Sequence, residues 1–167
     1  MRVNLKELFG TSLPKDPKLR DAIAQSIIDK IVNRTTKDNT GWDGREFKGY
    51  SKSYKKSDNF GIFGKSANKV NLTLTGDMLG NMDVSESNTD AIEIKIDRSD
   101  APKAFNHITG DTLPKRDFFG LSKSEMREIR STFKEAVEAE SRSARQDILK
   151  SLVAQLVQEG EGDGRES

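Results

Sequence analysis

Near the start of the chain, apolar residues recur every four positions, which is the spacing of one face of an α-helix. The repeating positions are Leu19, Ile23, Ile27 and Ile31. Asp16 is a residue type that caps helices, and Pro17 suits the first helical position. The pattern predicts an amphipathic helix over residues 16–33, whose apolar stripe lies across a sheet or another helix.

In the middle of the chain, apolar and polar residues alternate, which is the period of a half-buried β-strand. The segments with strand character are Val70–Leu74, Met78–Val84 and Ala91–Asp97. The third places Ile92, Ile94 and Ile96 on one face, and the polar stretch before it supplies a turn. Residues 70–97 are therefore predicted to form a small antiparallel sheet with a hairpin.

A second helical pattern begins with a capping box, in which Ser122 caps the helix and Glu125 follows three residues later. Helical periodicity then continues to residue 158, although residues 138–145 interrupt the apolar stripe. Such a helix would be about 54 Å long at roughly 1.5 Å per residue, longer than one domain of this size can cover. Its far half is predicted to contact an oligomer or another partner through Ile148, Leu152 and Leu156.

These elements predict an α+β fold: an N-terminal helix packed on a small antiparallel β-sheet, followed by a long C-terminal helix. The predicted organisation is a single domain over residues 1–140, a helical extension over 141–158 and a flexible tail over 159–167. The tail sequence EGEGDGRES is flexible by composition.

Composition narrows the classes of function. The 28 basic and 27 acidic residues nearly cancel, so no global field attracts nucleic acid or a membrane, and such binding has to be local. The absence of cysteine excludes disulfides and thiolate sites, and no apolar run approaches the roughly 20 residues of a membrane span. The first residues are too few and too charged for a secretory signal. We expect an intracellular product without membrane contact.

The segment of residues 35–69 has no sustained period and combines glycines, aromatic rings and basic residues, which predicts a long loop with aromatic anchors. Its candidate DNA- or partner-facing residues are Arg45, Lys48, Lys52, Lys55 and Lys56. Cations neutralise phosphates and rings stack on bases, although the same composition suits a solvated loop that its rings fix to the core. Gly64-Lys65-Ser66 resembles the end of a phosphate-binding loop, but Asn59 stands where that motif requires glycine.

The stretch HITGDTLPKRDFFGLSKSEM, residues 107–126, contains the single histidine of the chain. A hydrolase centred on His107 is one interpretation, but the sequence has no nucleophile elbow and too few ligands for a metal, so neither a catalytic residue nor a cofactor is predicted. The favoured interpretation is a docking hinge with Phe119 as its apolar anchor and Arg116 holding carbonyl groups or a carboxylate, across the turn or between subunits. The hinge residues are His107, Gly110, Pro114, Arg116, Phe118, Phe119, Gly120, Ser122 and Glu125.

The order of several motifs resembles the virion-morphogenesis family of tailed phages. These motifs are a helix ending near Arg34-Thr35, a GxxF…YSxxY loop at 44–54, LTGDML at 74–79 and the His…Gly…Pro-x-Arg-x-Phe-Phe-Gly-Leu-Ser block at 107–122. The resemblance covers residues 19–135.

The resemblance implies a structural, non-enzymatic protein made in the host cytoplasm and located in the virion. Its members act as neck, connector or tail-completion subunits in a homo-oligomeric ring at the head–tail junction. The implied partners are further copies of the chain and portal, adaptor, tail-terminator or tail-tube proteins. In such a ring, the cations of the basic loop are predicted to face DNA in the channel, which they would contact without reading its sequence, or a negatively charged neighbouring ring. The alternative from another class is a nucleic-acid-binding module that uses the basic aromatic loop 45–69.

Overall fold

The computed structural model describes residues 1–10, 16–73 and 76–162, with side chains as far as residue 155. Within these residues the chain forms a three-stranded antiparallel sheet, flanking helices and one long C-terminal helix. The predicted α+β fold class is therefore confirmed. No helix in the described part of the chain is both long and apolar enough to cross a membrane.

Two helices precede the core. A short helix α1 (Leu5–Phe9) follows the first strand, and α2 (Pro17–Asn33) matches the helix predicted from the four-residue spacing. The Asp16 side chain accepts a hydrogen bond from the backbone N–H of Lys18, as expected of a cap. A π-helical turn, Arg34–Asp38, extends α2 beyond its predicted end.

The sheet has the strand order β1-β3-β2, where β1 is Arg2–Asn4, β2 is Met82–Ser87 and β3 is Ala91–Ile96. β2 and β3 form the predicted hairpin, and the turn is held by the Asn88 side chain, which accepts from the N–H groups of Asp90 and Ala91. β1 was not predicted from the sequence. It pairs with β3 through Val3 and Ile92, so β3 is the central strand of the sheet. Ala91, Ile92 and Ile94 of β3 are buried.

The predicted strand over Val70–Leu74 is wrong for its described residues. Residues 70–73 form no strand, and Leu72 has a φ of 48°, in the left-handed region that extended chains avoid. Leu74 lies outside the described residues. The next predicted segment is divided, because residues 77–80 form a helical turn, α5 (Asp77–Gly80), and only the part from Met82 onward is a strand.

The predicted irregular stretch 35–69 also contains short helices, α3 (Lys52–Lys55) and α4 (Asp58–Ile62). A further helix that was not predicted, α6 (Ala101–Thr109), follows the sheet and ends at Gly110, which has a φ of 81°. His107 therefore lies in the last turn of a helix.

The last helix, α7 (Lys123–Gly162), is continuous and enters the segment predicted to be a flexible tail. Residues 163–167 lie outside the described residues. α2 contacts β2, β3 and α7, while α1 contacts α7 and β3, so these helices and the sheet share one core. The buried face of α2 is formed by Ile23, Ala24, Ile27, Ile28 and Ile31. Up to residue 155, where the description of side chains ends, the last buried residue of α7 is Val137, and residues 142–155 are all exposed.

Candidate functional site

Arg116 lies at the centre of the predicted hinge and is only 4% exposed. Its Nε and Nη2 atoms donate to the carbonyl of Lys48 at 3.1 and 3.0 Å, and Nη2 also reaches the carbonyl of Gly49 at 3.4 Å. The guanidinium carbon lies 5.4 Å from the centroid of the Tyr50 ring, and the backbone N–H donates to the carbonyl of His107 at 2.7 Å. Arg116 thus joins the loop at residues 48–50 to the segment between α6 and α7.

His107 is a side-chain partner of Arg116. Its Nδ1 atom lies 3.4 Å from Arg116 Nη1, which makes the imidazole an acceptor when it is neutral. Burial, together with the positive charge of Arg116, lowers the pKa of His107 from 6.5 to about 4. The imidazole is therefore uncharged near neutral pH, and its proton affinity is too low for a general base that works near pH 7.

A second arginine, Arg34, holds the start of α7. Its Nη1 atom donates to both carboxylate oxygens of Glu125 at 2.6 and 2.5 Å, and its Nη2 atom donates to the carbonyls of Phe118 and Gly120 at 2.6 and 3.0 Å. Arg34 and Glu125 are 7% and 8% exposed. Glu125 also accepts from the N–H of Ser122 at 2.7 Å, while Ser122 Oγ accepts from the N–H of Glu125 at 3.2 Å. The capping box is confirmed, and the same carboxylate neutralises a buried cation.

Two glycines allow the segment before α7 to approach the loop at residues 41–42. A Cβ atom on Gly120 would lie 2.7 Å from two atoms of the Trp42 ring, and a Cβ atom on Gly41 would lie 2.7 Å from the carbonyl of Asp117. The N–H of Trp42 donates to that same carbonyl at 3.1 Å. Any larger residue at either glycine would have to push these segments apart.

The two adjacent phenylalanines have different environments. Phe118 is completely buried in the main core, whereas Phe119 is half-buried beside Trp42, with the two phenylalanine centroids 6.1 Å apart. The expectation that Phe119 is the apolar anchor is therefore corrected in favour of Phe118. The connection also needs Gly110, where a Cβ atom would lie 2.8 Å from that of Lys115.

The structure brings the predicted hinge residues into one internal connection between α6 and α7. Trp42 and the backbone of residues 48–50 were not among the predicted site residues, and Arg34 was predicted only as the end of a helix. A signal for Arg34 was present, because it continues the buried stripe of Ile27 and Ile31 at helical spacing. An arginine on such a face needs a buried counter-charge or several buried hydrogen-bond acceptors.

The basic aromatic loop contains a cluster of three rings. Tyr50, Tyr54 and Phe60 pack on one another with centroids 5.2 to 5.7 Å apart and are half-buried, whereas Phe63 is 40% exposed. The candidate cations Arg45, Lys48, Lys52, Lys55 and Lys56 are all exposed. Arg45 pairs with Asp43 at 3.3 Å, but the four lysines form no ion pair with any residue that the structure describes. Lys65 of the Gly-Lys-Ser sequence donates to Asn71 at 2.9 Å.

The predicted oligomer-contact residues lie on the part of α7 that leaves the domain. Ile148 and Leu152 are 60% and 50% exposed, and the neighbouring Leu149 and Val153 are exposed to a similar extent. At about 100° per residue, these four side chains fall on one side of the helix. We call them the α7 stripe. The side chain of Leu156 lies outside the described residues.

No group of three or more histidine, aspartate or glutamate side chains in the described ranges is arranged to hold a metal ion. No family model, no curated protein and no solved structure matches the chain.

Proposed function

We propose that this chain is a structural subunit of a tailed-phage virion, a neck, connector or tail-completion protein that assembles into a ring at the head–tail junction. The observation that carries the proposal is the long projection of α7. Its residues 142–155, about 20 Å of helix, are entirely exposed and bear the α7 stripe. A helix of this length is marginal alone in water, and a lone apolar stripe favours association.

The geometry of the His107–Ser122 block also supports a structural role. Its side chains make internal contacts: Arg116 binds backbone carbonyls and Phe118 fills the core, while Glu125, three residues after the block, binds Arg34. The lowered pKa of His107 gives no support to acid–base catalysis near neutral pH. These contacts suit a subunit whose two ends must be held rigidly with respect to each other.

The proposal is tested by locating the protein in purified phage particles with antibody-labelled electron microscopy. We expect the label at the junction of head and tail. A chain lacking residues 141–167 should fold, since residues 142–155 are exposed in the isolated chain, but it should leave heads and tails unjoined. Particles that lack the protein, or that are completed normally by the shortened chain, would contradict the proposal.

One observation favours the alternative of a nucleic-acid-binding module, namely the four exposed lysines of the basic loop that have no ion-pair partner among the described residues. Fluorescence anisotropy with a short DNA duplex distinguishes the two functions. Tight binding that persists at physiological salt would favour the nucleic-acid module. Ring assembly with only weak binding at low salt would favour the structural subunit.

A further inference from the structure

A groove of about 820 Å³ lies beside β1, at the opposite end of α7 from the α7 stripe. Its apolar lining consists of Val3, Leu8, Trp42, Phe119, Leu121 and Met126. Trp42 is 41% exposed, and Phe119, Leu121 and Met126 are half-buried, so an apolar surface is left open to solvent. We call this surface the Trp42 groove.

The rim of the Trp42 groove is strongly positive in a chain of nearly zero net charge. Four exposed cations, Arg2, Lys123, Arg127 and Arg130, stand against one carboxylate, Glu7. None of these cations forms an ion pair within the part of the chain that the structure describes. The groove therefore suits an apolar segment followed by negative charge.

The chain itself contains a segment of that chemistry. The α7 stripe presents apolar side chains, and the sequence that follows it carries Glu159, Glu161, Asp163 and Glu166 against Arg165. The order along the chain is an apolar helical face and then an acidic end. This order is complementary to the apolar lining and basic rim of the Trp42 groove.

A single copy cannot make this contact. Met126 of the groove and Ile148 of the stripe lie on one continuous helix, 22 residues or about 33 Å apart. An unbroken helix does not fold back on its own first turns, so the stripe can reach only the groove of another copy.

We propose that the α7 stripe of one copy docks into the Trp42 groove of a second copy, with the acidic end of the chain beside the basic rim. This inference rests on the proposed function, because it names the contact through which the ring forms. Each copy offers one groove and one stripe, so the interface is heterologous, and it generates a ring when the rotation between copies closes. Parallel pairing of two α7 helices would instead bring their acidic ends together and leave the groove uncovered.

The lack of cysteine allows a direct test by disulfide cross-linking of purified full-length chains. A Leu152→Cys protein, with its thiol on the stripe, is mixed with a Leu121→Cys protein, with its thiol in the groove. We expect a cross-linked mixed dimer and little product from Leu152→Cys alone. The matched control is Ala154→Cys, which is exposed on the same part of α7 but about 200° around the helix, and it should give a large loss of cross-linked product with Leu121→Cys.

Charge reversal tests the rim separately. Arg127→Glu with Arg130→Glu in the Leu121→Cys protein should greatly reduce the mixed product, and Glu159→Lys with Glu161→Lys in the Leu152→Cys protein should restore it. The control is Lys18→Glu with Lys37→Glu in the Leu121→Cys protein, because these exposed residues do not line the groove. It should change the yield little.

Several results would overturn the docking contact. These are a Leu152→Cys homodimer that forms as readily as the mixed dimer, an equal yield from Ala154→Cys, or no cross-linking in the purified chains. None of them bears on whether antibodies label the head–tail junction. The docking contact can therefore be wrong while the proposed function stands. Conversely, if the protein were absent from particles, the proposed function would be wrong whatever the cross-linking experiments showed.

Discussion

At the scale of single residues, two buried arginines hold the connection between α6 and α7 by different means. Arg116 binds neutral backbone carbonyls, whereas Arg34 is neutralised by the carboxylate of Glu125. The planar guanidinium has several donors in a fixed arrangement, so one side chain can serve two segments at once. Lysine at either position would leave some of these acceptors without a donor.

The Arg34–Glu125 pair should be sensitive to removal of one partner. Glu125→Ala leaves a buried guanidinium without its counter-charge, and we expect the free energy of unfolding to fall by about 3–5 kcal/mol in denaturant titrations. The matched control is Glu128→Ala, which removes the exposed ion pair with Lys30 between the same two helices and should cost less than about 1 kcal/mol. If Glu125→Ala and Glu128→Ala lower the free energy of unfolding equally, the buried Arg34–Glu125 pair is no more sensitive to loss of a partner than the exposed pair.

The two phenylalanines should differ in the same measurement. Phe118→Ala opens a cavity in a closed core, which typically costs about 3–5 kcal/mol. Phe119→Ala removes a half-buried ring beside the Trp42 groove, so its effect on unfolding should be smaller. A larger loss for Phe119→Ala would contradict the assignment of Phe118 as the anchor.

The lowered pKa of His107 predicts a loss of stability on acidification. The unfolded chain binds a proton on this imidazole near pH 6.5, while the folded chain binds it only near pH 4, so the contribution of the neutral imidazole declines between these values. After allowance for solvent screening, about 1–2 kcal/mol should be lost.

Melting curves of the parent and of His107→Gln between pH 7 and about pH 4 check this prediction. The parent should lose more stability in that window. Both proteins share the losses at lower pH from Asp97 and Asp100, whose pKa values are lowered by hydrogen bonds from Ser99 and Lys103 respectively. Parallel curves for the two proteins would contradict the lowered pKa.

At the scale of elements, the basic loop combines a cluster of aromatic rings with exposed positive charges. The cluster consists of Tyr50, Tyr54 and Phe60, and Arg116 lies over the Tyr50 ring. The lysines of α3 are left exposed. The exposed lysines suit electrostatic contact with a negative surface.

Reversal of Lys52, Lys55 and Lys56 to glutamate should therefore leave the circular dichroism spectrum unchanged but reduce particle infectivity. The reason is repulsion between the new carboxylates and channel DNA or a negative neighbouring ring. The control is the same reversal at the exposed Lys6, Lys18 and Lys37, which lie outside this loop. If infectivity is equal to that of the parent, the three lysines form only a solvated surface.

At the scale of the whole molecule, the chain divides its long helix between two environments. The part up to Val137 is held by α1 and α2, and the backbone N–H of Asp16 also donates to Glu140 at 2.8 Å. Beyond that point residues 142–155 have no buried side chain. The domain is therefore complete without the projection, which is available for contacts between subunits.

Hydrogen exchange should report this division. In the dilute, unassembled chain, amides of residues 142–155 should exchange much faster than those of residues 124–137, because no tertiary contact opposes local opening of the projecting helix. Assembly should slow exchange in residues 142–155. Strong protection of these residues in the monomer, or no change on assembly, would contradict their role in subunit contact.

The sequence by itself determined the elements whose signals are local. The spacing of Ile23, Ile27 and Ile31 defined α2, the Ser122–Glu125 box defined the start of α7, and alternation defined β3. Each of these signals depends on residues within a few positions of one another. The helical periodicity beyond residue 140 also predicted that α7 extends past the domain against which its first half packs.

Only the tertiary structure decided the contacts between distant segments. β1 is only three residues long and is a strand because it pairs with the edge of β3. Arg34 binds the carboxylate of Glu125, which lies 91 positions later in the sequence. Val70–Thr73 has strand-like alternation, but the left-handed conformation of Leu72 prevents an extended chain there. Burial, ion pairing and the choice between Phe118 and Phe119 depend on which segments meet in space, and that information does not lie in the local spacing of residues.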